Sequence, residues 1–306
     1  EGYEIGIKAQ PFRSEIFTWS TTLNYSRNYN LVTKLQVKPE GMPTTGDEFY
    51  NLNGGFTGII NVAMVGKPLG VFHGYGWARE NNGTIKYTTW DPVNHEVVGD
   101  WGGLNYVGAP ILDEQLKVIG DPNPDFMVSW RNDLVFFKDL TISFLFDAVI
   151  GGDVWNGTKG ALYNFGTAGA TADRADPWND ENGHAVYDYS GVINDPNFDE
   201  SKKVIANKQE KYWTYYNGFN INEPHIEDGS FVKLRELTLE YRWHGLQEWN
   251  ISSIIFSLSA RNLLTITNYK GYDPEVNTFS LAEGRGYDYF TLPQVRSFRF
   301  AISVIY

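Results

Sequence analysis

The stretch DLTISFLFDAV (Asp139–Val149) places Leu140, Ile142, Phe144, Phe146 and Ala148 on one side of an extended chain and Thr141, Ser143 and Asp147 on the other. Successive side chains of a strand point to opposite faces, so this period of two describes a ribbon with one oily face and one wet face. The pattern recurs in ISSIIFSLSARN (Ile251–Asn262), where Ile254, Phe256, Leu258 and Ala260 oppose Ser253, Ser257, Ser259 and Arg261. It recurs again in SFRFAISVIY (Ser297–Tyr306), with Phe298, Phe300, Ile302, Val304 and Tyr306 against Ser297, Arg299, Ala301 and Ser303. Near the start, Tyr3, Ile5, Ile7 and Ala9 alternate with Glu4, Gly6, Lys8 and Gln10. After Pro11 and a short polar turn, Phe17, Trp19, Thr21, Leu23 and Tyr25 continue the alternation, and the pair reads as a hairpin. Strands of a soluble sandwich usually run about five or six residues. These run ten to thirteen, which suits the roughly 9–11 residues a tilted strand needs to cross a bilayer.

One segment breaks phase. In FVKLRELTLEYRW (Phe231–Trp243), Val232 and Leu234 share one parity, whereas Leu237, Leu239 and Tyr241 share the other. A bulge near Arg235–Glu236 is expected, because one extra residue moves every later side chain to the opposite face.

Nine strands are expected, at 2–11, 16–28, 57–65, 69–79, 126–137, 139–149, 231–243, 250–262 and 294–306. Short connections at Pro11–Glu15, Gly66–Pro68, Phe137–Lys138 and His244–Trp249 then alternate with long ones at 29–56, 80–125, 150–230 and 263–293. A compact soluble domain seldom carries four loops of that length. Transmembrane barrels of the outer-membrane type do, with short periplasmic turns and long extracellular loops. The expected fold is therefore all-β, a transmembrane antiparallel β-barrel. Nine strands leave edges whose unpaired backbone groups are costly in lipid, so this chain is expected to be part of a larger barrel.

Composition agrees. The 306 residues carry 25 Lys+Arg against 37 Asp+Glu, a net charge of −12, and no stretch clusters the basic residues, which argues against a nucleic-acid partner. The absence of cysteine excludes disulfides and thiol catalysis. No run of about 18 apolar residues is present, so a helical span is excluded while a barrel stays open. The opening EGYEIGIKAQP lacks the basic region and apolar core of a signal peptide, and none is expected there.

Catalytic and metal motifs are wanting. His73, His95, His184, His225 and His244 form no HExxH or HxH pair. The acidic run DRADPWNDENGH fails as a calcium loop, because aligning Gly183 to the invariant glycine puts Trp178 at the first ligand position. Carboxylate pairs for glycoside hydrolysis, drawn from Asp173, Asp176, Asp180, Glu181, Glu223 or Glu227, would be arbitrary. No P-loop, GxSxG or dinucleotide fingerprint occurs. The chain reads as a non-enzyme with no cofactor and no metal.

The run SARNLLTITNYKGYDPEVN (Ser259–Asn277) resembles the C-terminal signature of SusC/RagA-type TonB-dependent transporters of the Bacteroidetes outer membrane. VIGDPNPDF (Val118–Phe126), DGSFVKLRELTLEY (Asp228–Tyr241) and LPQVRSFRFAISVIY (Leu292–Tyr306) match in the same order. KPLGVFHGYGW (Lys67–Trp77) and ADRADPWNDEN (Ala172–Asn182) match more loosely. The sequence departs from the family at WDPVNHEVVGDWGGLNY (Trp90–Tyr106), so no ion site is carried over there. The resemblance implies a 22-strand barrel around an N-terminal plug, of which residues 1–306 would form the C-terminal part, strands fourteen to twenty-two. It further implies a multi-pass location in the outer membrane, among its lipid, a SusD-like surface lipoprotein lid, the TonB complex acting through the missing N-terminal part, and a glycan or peptide cargo. Phe298, Phe300 and Tyr306 would belong to the sorting signal. Candidates for ligand or lid contact are Trp77, Trp90, Trp101, Trp155, Asn156, Trp178, Trp213, Tyr215 and Tyr216, although for any single aromatic the structural reading, cementing the loops or forming an interfacial girdle, is favoured. Asp133, Asp147, Arg242, Arg261 and Arg299 would face the lumen, binding cargo or forming a static ion-pair lining. The alternative is a SusC-like barrel serving as a structural subunit of an outer-membrane assembly without transport.

Overall fold

In the computed structural model, the structure describes residues 1–35, 49–52, 58–86, 89–91, 96–98, 111–169, 221–245, 247–278 and 284–306. Seven long strands form one sheet: β1 (Gly2–Arg13), β2 (Phe17–Asn28), β3 (Pro124–Phe136), β4 (Leu140–Gly151), β5 (Phe231–Trp243), β6 (Ser253–Thr267) and β7 (Ser297–Ile305). Each pairs antiparallel with the strands before and after it in the chain, an up-and-down meander. Short turns follow β1, β3 and β5, and long connections follow β2, β4 and β6, so every long connection leaves from the same end. The outer edges of β1 and β7 have no partner strand among the described residues, so the sheet is open.

Two of the nine expected strands are not in this wall. Residues from the 57–65 and 69–79 segments form Ile60–Met64 and Val71–Gly74, which join Phe49–Asn51 and Lys117–Gly120 in a separate four-stranded sheet within the long connection. The physical reason lies in their burial. These two strands are only five and four residues long and almost wholly buried on both faces, so neither offers the oily-outside, wet-inside division of a wall strand. The turn at Gly66–Pro68 thus belongs to the long-connection end. Because the strands leave as a pair, β1 and β7 keep the same relative direction.

The expected bulge is present. β4 matches Leu145 with Glu236 but Phe146 with Leu234, and β6 matches Leu264 with Leu234 but Arg261 with Glu236, leaving Arg235 as the extra residue. β1 runs through Pro11 to Arg13 instead of stopping at the proline. The register shifts between Ala9 and Phe12, and such an irregularity admits a residue that lacks a backbone donor. At the three-residue turn after β3, Phe137 and Lys138 both adopt positive φ (52° and 67°), and the Asp139 N–H returns to the Phe136 carbonyl at 3.1 Å.

The connections pack on one another at the long-connection end. Trp155, on the short strand Asp153–Asn156, lies 5.6 Å from the ring of Tyr287, and Phe72 meets Tyr287 edge-on at 5.5 Å; with Ile59 these residues form a fully buried cluster. Gly151 and Gly152 (φ 75° and 83°) turn the chain out of β4 toward this core. A short helix, Gly157–Asn164, follows, its start capped by Asn156, whose Oδ1 accepts the Lys159 N–H at 2.9 Å.

Candidate functional site

The register sorts the wall into two faces. Phe17, Trp19, Leu134, Phe144, Leu237, Leu239, Leu258 and Phe300 fall on one, whereas Asp133, Asp147, Arg242, Arg261 and Arg299 all fall on the other. Three of these five polar side chains are engaged. Asp133 accepts from Ser143 at 2.6 Å and lies 3.4 Å from Arg131, Asp147 accepts from Arg235 Nε at 2.8 Å, and Arg261 lies 3.4 Å from Glu236. Arg242 and Arg299 have no ion-pair partner among the described residues.

The strongest charge constellation was not anticipated from the sequence. Lys233, 1% exposed, donates to Asp273 at 2.6 Å and to Glu275 at 2.5 Å. Arg235, the bulge residue, grips Glu275 through both terminal nitrogens, one of them at 2.6 Å, and reaches Asp147 through Nε. The bulge supplies the geometry, since the extra residue turns Arg235 toward the same carboxylate that Lys233 reaches. The available signal was the charged pair flanking Leu234 in FVKLRE together with the acids of YDPEVN. Burial alone would raise both loop carboxyls, but hydrogen bonds reverse the sign. Those from Lys233 and the N–H groups of Glu275 and Gln294 hold Asp273 below its ordinary range, and those from Arg235 and Lys233 do the same for Glu275. Further along the loop, burial and then the neighbouring Asp288 raise the Tyr269 phenol, which donates to Asp288 at 2.6 Å.

Above this network a cavity of about 440 Å³ opens on the polar face. Ser26, Met127, Val149 and Phe231 form its wall side, and Pro122–Pro124, Gly151–Val154, Pro274–Asn277, Arg285 and Gly286 line it from the connections. The Asp153 carboxyl at its side is raised, first by burial and then by Asp121, Asp228 and Asp125, although the Asp121 N–H donates to it at 2.7 Å.

The candidate aromatics lie elsewhere. Trp155 is fully buried in the loop core, stacked 6.2 Å from Tyr289, and Trp77 is 2% exposed, its backbone N–H donating to Glu223 at 2.9 Å. Asn156 is the buried helix cap. The backbone of Trp90 lies in a two-stranded ribbon opposite Val97. Trp101, Trp178, Trp213, Tyr215 and Tyr216 lie outside the described residues. Phe298 and Phe300 stand exposed on the apolar face and Tyr306 is exposed beyond β7. Of the carboxylates considered for hydrolysis, Glu223 pairs with Arg79 and Glu227 with Lys159, whereas Asp173, Asp176, Asp180 and Glu181 lie outside the described residues. His73 and His225 are buried and His244 bonds Asp139 at 3.1 Å, while His95 and His184 are not described.

No protein-family model matches the chain. Among curated proteins it is similar to TonB-dependent receptor P3 of Formosa agariphila, 29% identical across 99% of the chain and 28% of the relative. It is also similar to TonB-dependent receptor P26 of the same organism, 23% identical across 100% of the chain and 29% of the relative. Among solved structures it resembles the RagAB peptide transporter, with a TM-score of 0.60 and 19% identity over 99% of the chain and 29% of that chain. The RagAB peptide importer in its open-open state gives a TM-score of 0.56 at 18% identity. The seven-stranded sheet is thus a segment of a transmembrane β-barrel wall, similar to those of the TonB-dependent receptors. The chain's length is under a third of the relatives it matches. The apolar face of this barrel wall belongs to the outer membrane, which it crosses with strands.

Proposed function

We propose that this chain is the C-terminal barrel portion of a SusC-like TonB-dependent transporter that imports oligosaccharides or peptides across the outer membrane beneath a SusD-like lipoprotein lid. With seven wall strands, the chain would supply strands sixteen to twenty-two of a 22-strand barrel. Its polar face would line the lumen, and the long connections would form the extracellular mouth. The plug and the TonB contact would lie in the remainder of the receptor. The observation that carries this reading is the match of 99% of the chain to a TonB-dependent receptor at 29% identity, far beyond one motif.

The test is growth of a deletion strain lacking the complete receptor on single glycans and on peptides as sole sources. Loss of growth on a subset, reproduced by inactivating TonB, supports transport. Unchanged growth on all of them together with a defective envelope would overturn it in favour of a structural role in assembly.

A further inference from the structure

The charged residues of the seven wall strands take the polar face with a single exception. In register, Arg27 falls with Trp19, Leu23 and Tyr25 on the apolar face, directly opposite Tyr3 of β1. The other charged residues of the strands, from Glu4 to Arg299, have the opposite parity or, at the bulge residue Arg235, reach the polar face through Asp147. Arg27 is exposed although β2 has a partner strand on both sides, so its exposure does not come from the open edge of the sheet. It has no ion-pair partner among the described residues.

Its height on the strand fits a membrane border. Phe12, Phe17 and Phe136 cluster at the short-turn end of the apolar face, with successive ring centres 5.6 and 4.9 Å apart. A strand rises about 3.3 Å per residue and tilts by roughly 40°, so the climb from Phe17 to Arg27 is about 25 Å, the height of the apolar band of such a barrel. Arg27 therefore stands at the opposite border, within a second group of aromatic rings: Tyr3 faces it, Tyr25 stacks on Phe126 at 5.7 Å, and Tyr29 is exposed just beyond. Two lysines lie above. The chain leaving β2 is tied to the turn at Gly66–Pro68, since the Val32 N–H donates to the Lys67 carbonyl at 2.9 Å and the Gly66 N–H to the Val32 carbonyl at 2.8 Å. Lys34 and Lys67 are exposed there beside Leu31 and Leu69. Neither 25–35 nor 60–70 contains an acid, in a chain whose net charge is −12. Glu1 adjoins this border, its backbone nitrogen donating to the Tyr29 carbonyl at 2.7 Å, and forms no ion pair among the described residues.

We propose that Arg27, Lys67 and Lys34 form a headgroup site for a phosphorylated glycolipid of the outer leaflet, whose acyl chains lie against Leu23, Tyr3 and Tyr25. The inference rests on the reading that places the long connections outside the cell. A cation on the lipid face costs little at the border, where headgroups solvate it, and far more at the midplane. A guanidinium grips a phosphate through two parallel hydrogen bonds, and the lysines add point charges above it. Aromatic rings suit the level at which acyl chains meet polar headgroups. The cations extend from the strand border up onto the connection, which matches phosphates carried on sugars rather than one phosphodiester level with the acyl chains.

The experiment uses the complete receptor purified in detergent, with native mass spectrometry reading lipid retention for three probes: diphosphoryl lipid A, lipid A stripped of its phosphates, and phosphatidylglycerol. The diphosphoryl form is expected to be retained about tenfold more tightly than the stripped form, the scale of a charge-assisted pair. Arg27→Gln is expected to erase that preference, Arg27→Lys to keep part of it, and Lys34→Gln with Lys67→Gln to weaken it. Arg13→Gln, on the polar face near the short-turn end, is expected to leave retention unchanged. Equal retention of the two lipid A forms, or a preference that survives Arg27→Gln, would overturn the site. So would phosphatidylglycerol held as tightly as diphosphoryl lipid A, which would leave Arg27 as a general interfacial cation. Orientation is read separately: Lys67→Cys in intact cells is expected to react with a membrane-impermeant maleimide. Reaction only after the outer membrane is opened would overturn the extracellular placement of the connections, whereas labelling in intact cells without a phosphate preference would overturn the site alone.

Discussion

On the apolar face of the wall, Trp19 Nε1 donates to Asn132 Oδ1 at 2.9 Å. Asn132 is 1% exposed although its neighbours in register include Phe144 and Thr21, so a single indole satisfies the carbonyl of an amide embedded in an oily surface. Trp19→Phe strands that carbonyl and is expected to cost about 1–3 kcal/mol, whereas the double variant with Asn132→Leu is expected to recover most of it. Thermal unfolding of the complete receptor in detergent checks this, and a double variant as unstable as the single would refute it. Asp273 and Glu275 give a second expectation. Their folded pKa values lie below the ordinary 3.8 and 4.5, so the ion network stabilises the protein fully above about pH 5 and is lost as pH falls through and below those values. Hydrogen-exchange protection in residues 268–278, taken relative to the intrinsic rate at each pH, should therefore fall below about pH 4.5, and Glu275→Gln should flatten that dependence. The alternation that placed Asp133, Asp147, Arg242, Arg261 and Arg299 on one face was legible because period two is a local property. The partners of Lys233 were not legible, because they stand 40 and 42 positions away, on a loop whose path the strand pattern does not specify.

At the scale of single elements, β5 shows how far phase can be read. Val232 and Leu234 fall out of step with Leu237 and Leu239, and Arg235 is the residue that restores them. Removing it should leave Leu234 and Leu237 two positions apart and the oily face intact, while losing the grip on Glu275 and Asp147. The Arg235 deletion is thus expected to assemble as a heat-modifiable barrel on gels, with faster proteolysis of the 268–296 connection. Deleting Leu237 instead would bring Glu236 onto the lipid face and is expected to reduce the folded fraction sharply. The opposite outcome would show that the bulge is required for strand pairing. The segments at 57–65 and 69–79 show where such reading stops. Their apolar residues resemble those of wall strands, yet each side faces other connections, and burial on both faces is a property of the packing around them.

For the whole molecule, the wall is an amphipathic sheet whose two faces meet different solvents. Phe144→Arg, in the middle of β4 on the apolar face, is expected to cost about 2–4 kcal/mol near the bilayer midplane and to lower the heat-modifiable fraction. Ser257→Arg, on the polar face opposite Glu240, is expected to be tolerated. Equal tolerance of both would contradict the assignment of faces. The amino-acid sequence by itself determined the long alternating strands, the alternation of short and long connections, the bulge at Arg235 and the relative direction of the first and last strands. All of these follow from side-chain parity and chain length, which are local. Only the tertiary structure decided that the wall has seven strands here, that Trp77 and Trp155 are core residues of the connections, and that Lys233, Arg235, Asp273 and Glu275 meet beside the cavity. Those outcomes depend on which distant surfaces exclude water from one another, and residues far apart in the chain settle that only when they pack.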